Sequence, residues 1–300
     1  MPEIKRRFNV ILGSTSDEAK IVPGIQRFTQ EFPFEVLVHY ASKDNTPDKV
    51  DRIVHRLITH GLDVFVFVSG AGLSNLLTGV IKASSQIYDL NLGIPVTDDS
   101  SDGLTALLST AEKPPYNPVL AVGLNNSYAA LNIANRFANA LNHTGRELTI
   151  LKGRTSSEED GVVKLVKQCE EFGLPFKFVM GDSKIVSDSL LLNVYDFMEP
   201  MASKLIQLMD ERLNKGVGIQ IGVSCAPIKE SYGDYLHMLD GTYTTGIVSS
   251  QNYTNAALMG AILTRNEAAL VNIHNKRQER VEKLEAHKGL RIAMGAVEKL

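Results

Sequence analysis

The sequence predicts a three-layer αβα fold, in which helices cover both faces of a parallel β-sheet and the arrangement occurs twice in tandem. Short apolar runs alternate with helical patterns along the chain, and clusters of Gly, Ser, Asp or Asn follow the apolar runs. Strands and helices that alternate in this way form a parallel sheet with helices on both sides. A third observation, the repetition of several segments in the second half, predicts two related domains.

The first half contains five predicted strands. The first apolar run breaks at Gly13–Asp17, where a helical pattern begins. Thr46 is the expected N-cap of the second helix, because Pro47 suits the first helical position and Asp48 complements the helix dipole. A sheet of this kind is flavodoxin-like or Rossmann-like, and its ligands bind outside the carboxyl ends of the strands. The predicted strands cover residues 8–12, 34–39, 63–68, 92–96 and 119–123, and two later helices cover 76–83 and 128–141.

The second half repeats segments of the first in the same order: residues 148–158, 174–178 and 255–258 match residues 8–18, 32–36 and 128–131. The offset between the copies falls from 142 (Phe34 to Phe176) to 127 (Ala129 to Ala256), so the second copy is 15 residues shorter between these points. It also lacks a counterpart of Gly70-Ala71-Gly72.

These matches predict three regions, each domain with its own sheet. Residues 1–145 form a domain with the phosphate-binding loops, and residues 146–265 form a degenerate repeat, with Gly145 in the connection. Residues 266–300 form a helical extension, which we expect to pack across the other half or against a neighbouring subunit.

Composition excludes several classes of function. The net charge of −3 and the pI near 6.2 argue against a nucleic-acid partner, which needs a clustered basic surface. No run approaches the ~18 apolar residues of a membrane span, and no signal-peptide pattern is found. Cys169 and Cys225 fit no metal-ligand spacing, so we expect two reduced thiols in a cytoplasmic protein without a metal.

Several short motifs of the first half occur in the order of a known family: Gly13–Asp17, Thr46–Asp48, Ser69–Gly72, Leu77–Gly79, Gly93–Val96 and Asp102–Ser109. On these motifs the first half resembles the PurE-type family of aminoimidazole ribonucleotide carboxylases and carboxyaminoimidazole ribonucleotide mutases. The resemblance implies a flavodoxin-like fold and a role in purine biosynthesis. It also implies a small-molecule ribonucleotide ligand, no cofactor, and a homo-oligomer. Since the family forms octamers of single domains, a tandem chain would form a tetramer.

The resemblance implies that the ligand's phosphate and ribose face two loops. In the first loop Gly13 begins a helix, Ser14 and Ser16 can donate hydrogen bonds to phosphate, and Asp17 can accept from ribose hydroxyls. The second loop contains Ser69, Gly70, Ala71 and Gly72, with Asn45 and Thr97 as further possible contacts. Two alternatives remain open. Ser16 or Asp17 can cap the helix, and tight packing can require the glycines.

The matching turn of the second copy, Gly153–Ser157, carries Arg154 where the first copy has Ser14. We therefore expect an anion at the first turn and not at the second, although Arg154 could itself attract phosphate.

The chain departs from the family at the residues that handle protons. The family histidine before Thr-Pro is replaced by Asp44, the following arginine by Asn45, and a second histidine by Leu76. An aspartate of ordinary pKa (~3.9) is almost wholly ionised at pH 7 and is a poor acid. His39, near the end of the second strand, is the best substitute among the histidines, and Asp44 is the candidate catalytic residue.

Three functions follow from these residues. The first is a diverged carboxylase or mutase, and the second is an inactive protein that binds a nucleotide, which the loss of both histidines favours. The third is a flavin or nucleotide-cofactor protein, for which Tyr40, Tyr116 or Tyr128 would have to stack on the ring. The full Gly-x-Gly-x-x-Gly spacing of a dinucleotide site is absent.

Overall fold

The computed structural model describes residues 7–59, 66–72, 75–97, 103–140, 147–151, 154–179, 188–195, 202–213, 215–225, 246–286, 290–293 and 296–299. Strands of the first half are β1 (Arg7–Leu12), β2 (Glu35–Tyr40), β3 (Val66–Ala71), β4 (Leu90–Pro95) and β5 (Leu120–Ala121). Helices of the first half are α1 (Glu18–Glu31), preceded by a 3₁₀ turn at Thr15–Asp17, α2 (Pro47–Thr59), α3 (Leu76–Ser84), α4 (Leu104–Ala111) and α5 (Ser127–Ala140).

The second half has the same types of element. Its strands are β6 (Leu148–Leu151), β7 (Phe176–Val179), β8 (Leu190–Tyr195), β9 (Ile219–Ser224) and β10 (Gly246–Ser250). Its helices are α6 (Ser156–Phe172), α7 (Ala202–Leu213), α8 (Tyr253–Thr264) and α9 (Glu267–Glu285). A hairpin of β11 (Leu290–Ala293) and β12 (Ala296–Lys299) follows. The predicted α/β fold is therefore confirmed, while the start of the third predicted strand at Asp63 lies outside the described residues.

The strands of both halves are arranged in the same order. In the first half the order is β2-β1-β3-β4-β5, and in the second it is β7-β6-β8-β9-β10. Neighbouring strands within each half are parallel. Since β3 and β4 are buried along nearly their whole length between helices, their sequences are almost wholly apolar.

One continuous ten-stranded sheet joins the described strands of the two halves. β5 and β10 pair in the antiparallel direction, with Ala121 opposite Ile247, and we call this junction the seam. A Cβ atom at Gly246 would lie 2.2 Å from Cγ of Leu120, so only glycine allows this approach. The expectation of a separate sheet in each domain was wrong, because the β5 and β10 edges cover each other. The domain boundaries stay a prediction, and Gly145 lies outside the described residues.

The seam reverses the direction of the second half. Because β5 and β10 are antiparallel while every other pair in the sheet is parallel, the carboxyl ends of the two sets of strands lie at opposite edges of the sheet. One large core cluster nevertheless includes side chains from both halves, among them Leu92, Leu120, Leu148 and Leu192.

In the second half the connection that corresponds to α2 is too short for a helix of that length. Twenty-five residues join β2 to β3, whereas ten join the corresponding strands β7 and β8. Ten residues cannot contain a thirteen-residue helix like α2 and its connections. The difference of 15 residues equals the shortening that the repeat offsets indicate.

The C-terminal helix α9 contacts α6 of its own half. Nδ2 of Asn272 in α9 donates to the backbone carbonyl of Phe172 at 3.1 Å, and Lys276 pairs with Glu171 at 2.5 Å. The charge of Arg277 on α9 also acts on Lys82 of the first half, so the expected packing across the other half or a neighbouring subunit stays a prediction. The extension also contains the hairpin β11–β12. None of the helices in the described ranges combines the length and apolarity needed to cross a bilayer.

Candidate functional site

Five loops of the first half meet at the carboxyl edge of strands β1 to β5. Backbone hydrogen bonds of 2.9–3.1 Å join each loop to its neighbour, so the edge is one connected surface. These bonds run from N–H to carbonyl between Ala41 and Leu12, Gly13 and Gly70, Val96 and Ala71, and Asn125 and Pro95.

The loop Gly13–Asp17 forms a capping box before α1. The backbone N–H of Ser14 donates to Oδ2 of Asp17 at 3.1 Å, and Oγ of Ser14 accepts from the N–H of Ser16 at 3.2 Å. Asp17 is 7% exposed, and burial raises the pKa of its carboxyl. Ser14 and Ser16 are exposed, and Oγ of Ser16 donates to Oγ of Ser14 at 2.8 Å. Capping by Asp17 is thus observed, and the two hydroxyls remain at the surface.

The second predicted loop splits into a buried and a partly exposed part. Ser69 is 1% exposed, and its hydroxyl donates to Oγ1 of Thr78 at 2.9 Å, so it points into the protein. Gly70 accepts from Gly13, and a Cβ atom there would lie 3.3 Å from the carbonyl oxygen of Ile94. Tight packing therefore accounts for Gly70, as one alternative expected. Ala71 and Gly72 are half-buried at the end of β3.

Thr97 belongs to a small polar cluster that the sequence only partly indicates. Its N–H donates to Oδ1 of Asn125 at 3.0 Å, and Nδ2 of Asn125 donates to its hydroxyl at 2.8 Å. Nζ of Lys20, on α1, donates to the same hydroxyl at 3.3 Å. Asn125 has a φ of 58°, a conformation that Asn tolerates better than most residues. Lys20 brings a positive charge beside Asp17. The sequence indicated this only by the position of Lys20, three residues after Asp17.

The residues that replace the family's proton carriers lie at the surface. The side chain of Asp44 is 80% exposed, and its nearest charged partner is Lys43, at 3.8 Å. Asn45 is exposed, and its N–H donates to Oγ of Ser42 at 3.2 Å. Leu76, the first residue of α3, is 43% exposed. None of these side chains occupies the buried surroundings that tune catalytic acids and bases.

Thr46 does not cap α2 with its hydroxyl. Oγ1 of Thr46 accepts from the N–H of Ser42 at 3.0 Å, while its backbone carbonyl accepts the first helical hydrogen bonds from Lys49 and Val50. The hydroxyl therefore closes the loop 42–46 and does not bond to the helix.

His39 faces a groove between β2 and α2. Its Nε2 atom lies 2.9 Å from Oδ1 of Asn9, and burial lowers its pKa, with further lowering from Arg56 and Lys49. The lining of this groove includes none of the residues of the loops 13–17 and 69–72. The structure thus assigns His39 different neighbours from the candidate phosphate loop.

The corresponding turn of the second half is occupied by its own side chains. Glu158 is buried, and it accepts from the backbone N–H of Arg154 at 2.7 Å and from the guanidinium of Arg154 at 2.9 Å. Oγ1 of Thr155 caps α6 by accepting from the N–H of Glu158 at 3.1 Å. Gly153 lies outside the described residues. A carboxylate therefore already neutralises Arg154.

A buried polar network that sequence reasoning missed extends from the site to the seam. Oδ1 of Asn75 accepts from Thr78 at 2.9 Å, and Nδ2 of Asn75 donates to Thr110 at 2.9 Å. Nζ of Lys113 donates to the carbonyl of Asn75 at 3.2 Å, and burial lowers its pKa to about 8. The carbonyl of Lys113 accepts from Nδ2 of Asn255 of the second half at 3.3 Å. In the sequence, the repeat segment 255–258 was the feature that pointed to Asn255.

The other candidate groups have defined neighbours. The Tyr128 ring is covered by the guanidinium of Arg27 at 4.0 Å, and the Tyr116 ring packs at 6.4 Å from that of Phe172. Within the described ranges, no three His, Cys, Asp or Glu side chains are arranged to hold a metal ion. Cys169 and Cys225 are free thiols, and burial raises the pKa of Cys169 to about 12.

Comparison with known proteins identifies relatives of the first half. Residues 7–159 match the sequence profile of the AIR carboxylase family. The chain is 37% identical over 125 residues to the N5-carboxyaminoimidazole ribonucleotide mutase of Methanocaldococcus jannaschii, covering 42% of this chain and 74% of the relative. It is 27% identical over 134 residues to the same-named protein of Pyrococcus abyssi, covering 45% and 72%. It is 30% identical over 135 residues to the phosphoribosylaminoimidazole carboxylase of Candida glabrata, covering 45% of this chain but 23% of the relative.

Proposed function

The chain belongs to the AIR carboxylase family, and from this we propose that its first half binds a phosphorylated imidazole ribonucleotide as part of purine biosynthesis. The binding surface is the carboxyl edge of β1 to β5, with Ser14 and Ser16 facing the phosphate. The observation that carries the proposal is the pair of exposed serine hydroxyls at the start of α1, where the helix dipole favours an anion.

Two further features support binding at this edge. Lys20 supplies a positive charge beside the loop, and the hydrogen bonds of Asn125 hold Thr97 at the end of the neighbouring strand. Oδ2 of Asp17 caps the loop by accepting a hydrogen bond from the backbone N–H of Ser14. In this arrangement Asp17 orients the loop, and contact with a ribose hydroxyl would use its remaining lone pairs.

The proposal assigns ligand binding to the first half alone. At the equivalent turn of the second half Glu158 pairs with Arg154, so an incoming phosphate would meet an occupied arginine instead of two exposed serine hydroxyls. The second half also lacks the α2 segment and the Gly-Ala-Gly loop.

We propose further that the protein binds its ligand with little or no carboxylate transfer at neutral pH. The relatives named as mutases and carboxylases make catalysis the competing function. Positioned acid–base groups contribute roughly 10²–10⁴-fold to a rate. Leu76 can transfer no proton, and Asp44 is a largely exposed side chain beside Lys43.

Calorimetric titration with aminoimidazole ribonucleotide tests the binding site. We expect Ser14→Ala with Ser16→Ala to weaken binding about tenfold or more, since each serine loses a hydrogen bond to a charged group. Arg154→Ala is the matched variant in the second half and should leave the affinity unchanged. Binding that survives the serine changes but fails in Arg154→Ala would place the ligand in the second half.

An absorbance assay with carboxyaminoimidazole ribonucleotide tests the absence of catalysis. We expect turnover ~10²–10⁴-fold below that of the Methanocaldococcus jannaschii relative measured alongside. Asp44→His combined with Asn45→Arg and Leu76→His should raise it. Full turnover at pH 7–8 that Asp44→Ala abolishes would show instead that the carboxylate performs the proton transfer.

A further inference from the structure

A groove of about 570 Å³ lies between the sheet edge and helix α2. β2 is the outermost described strand on this side, so the groove is open to solvent. Val38 and Ile53 supply apolar surface, while the polar lining comes from His39 and Tyr40 of β2 and from Lys49, Arg52 and Arg56 of α2.

Three cations of α2 line this groove, and the two carboxylates of that helix, Asp48 and Asp51, are not part of its lining. Lys49, Arg52 and Arg56 lie three and four residues apart, so they share one face of α2. No carboxylate lines the groove, and none of the three cations is within 4.0 Å of a carboxylate among the described side chains. Like charges four residues apart destabilise a helix by a few tenths of a kcal/mol. The chain as a whole has a net charge of −3, so general basicity does not account for the cluster.

The positive potential reaches the floor of the groove. After burial, the charges of Arg56 and Lys49 are the causes that lower the pKa of His39. His39 is held in place by Asn9, at 2.9 Å. The ring and the three cations therefore surround one concave volume.

We propose that this groove binds a phosphorylated small molecule at a site that shares no lining residue with the loops 13–17 and 69–72. The guanidinium groups of Arg52 and Arg56 match phosphate oxygens in bidentate geometry. Val38 and Ile53 contact the organic part of the ligand, and Lys49 adds a third charge. A volume of about 570 Å³ falls within the range of small-molecule sites. The site exists in one half only, because the second half has no room for an equivalent of α2.

Inorganic pyrophosphate is the probe that tests whether Lys49, Arg52 and Arg56 bind phosphate. The full chain carrying Ser14→Ala and Ser16→Ala is titrated by calorimetry at constant ionic strength, so that the loop 13–17 contributes least. We expect saturable binding, and we expect Arg52→Gln with Arg56→Gln to raise the dissociation constant about tenfold or more.

A matched control removes the same charge from another exposed helix. Arg280→Gln with Lys283→Gln on α9 should change the dissociation constant less than about twofold. Distant charges are screened by salt, so their effect should stay below this limit. Arg52→Lys with Arg56→Lys keeps the charge but loses the bidentate geometry, so it should fall between. If the Gln pair does not fold by circular dichroism, the Lys pair decides. No saturable binding below about 10 mM, or equal losses in the α9 control, would overturn the proposal.

Discussion

Lys82 and Lys113 are buried side chains whose ammonium groups donate to backbone carbonyl oxygens. Nζ of Lys82 bonds to the carbonyls of Gln86, Ile87 and Asp89 at 2.9–3.2 Å, and the Asp89 carboxylate offsets its charge. Burial alone lowers the pKa of Lys113, to about 8. Both residues hold connections between elements of the first half, and burial lowers the pKa of both.

Lys113→Met should remove a pH dependence of stability. Between pH 8 and 10.5 the folded state has a neutral amine while the unfolded state is still protonated, so stability rises with pH in this window. Each pKa unit corresponds to ~1.4 kcal/mol, so the wild type should gain up to about 3 kcal/mol relative to the variant.

Urea unfolding of both proteins at pH 7.5 and 10.5 measures this difference, because the other titrating groups cancel between them. Lys215→Met, which changes an exposed lysine, is the control variant. A constant difference between wild type and Lys113→Met across this window would contradict the low pKa.

At the residue scale, sequence reasoning identified the loop Gly13–Asp17 but not the direction of each side chain. A buried serine and an exposed one are the same letter, so nothing in the sequence separates Ser69, which bonds to Thr78, from Ser14. Lysines are almost never fully buried without a partner, so Lys82 and Lys113 gave no signal. The backbone carbonyls that hold them become neighbours only in the fold.

Helices α1 and α5 approach closely at Gly24. Oγ of Ser127 donates to the carbonyl of Ile21 at 2.6 Å, and a Cβ atom at Gly24 would lie 2.3 Å from that Oγ and 2.8 Å from the backbone nitrogen of Tyr128. Since α1 begins at the candidate phosphate loop, the spacing of these two helices positions the site.

Gly24→Ala should destabilise the protein by about 1–3 kcal/mol, because backbone cannot move away from the new methyl group. In an open helical position the same change stabilises by roughly 0.5–1 kcal/mol. Thermal unfolding measures the effect. Gly79→Ala in α3 is the comparison, since the nearest neighbour of its new methyl group is Nζ of Lys113 at 3.4 Å, an ordinary contact distance. A stabilised Gly24→Ala variant would show that the helices are further apart.

At the element scale, the alternation of patterns predicted the strands of the first half and the helices α1, α2, α3 and α5 to within a few residues, but it did not predict α4 (Leu104–Ala111). The motifs that resemble the family are confirmed by the match over residues 7–159. The repeat offsets showed that the second copy is 15 residues shorter. Only the strand order shows that these residues correspond to the α2 segment. The pairing of β5 with β10 was not predictable, because both are short apolar strands that could equally end separate sheets.

Asn255 joins the two halves through each polar atom of its side chain. Oδ1 accepts from the N–H of Asn117 at 3.2 Å, and Nδ2 donates to the carbonyls of Lys113 and Pro114 at 3.3 and 3.0 Å. The side chain is fully buried. At the scale of the whole molecule, the seam therefore combines a strand pair with a satisfied buried amide.

Asn255→Leu should destabilise the chain by about 1–3 kcal/mol, because it removes three buried hydrogen bonds between the halves. The carbonyl of Lys113 keeps its bond from Nδ2 of Asn252, and the N–H of Asn117 keeps its bond to the carbonyl of Pro114. Hydrogen exchange should accelerate most at the amide of Asn117. Asn272→Ala removes one exposed amide bond within the second half and should cost less than about 1 kcal/mol. Unchanged exchange at Asn117 would mean that the amide does not hold the seam.

The assembly in solution stays a prediction. A tetramer would contain eight halves, the number that the family resemblance implies, and closed symmetric assemblies are the norm among homo-oligomers. Sedimentation equilibrium at micromolar concentration should find a mass near four times 32.9 kDa. Monomers alone across that range would exclude the tetramer.

The seam connects two halves of one polypeptide, and this changes what mutation can do. In a dimer of identical chains every substitution enters both subunits at once, so both subunits carry any damaging change. Here a substitution enters one half alone, and the Arg154–Glu158 pair of the second half is an example. The covalent link also keeps each half at a fixed effective concentration around the other. One half is therefore free to lose its chemistry while it continues to supply sheet and core to its neighbour.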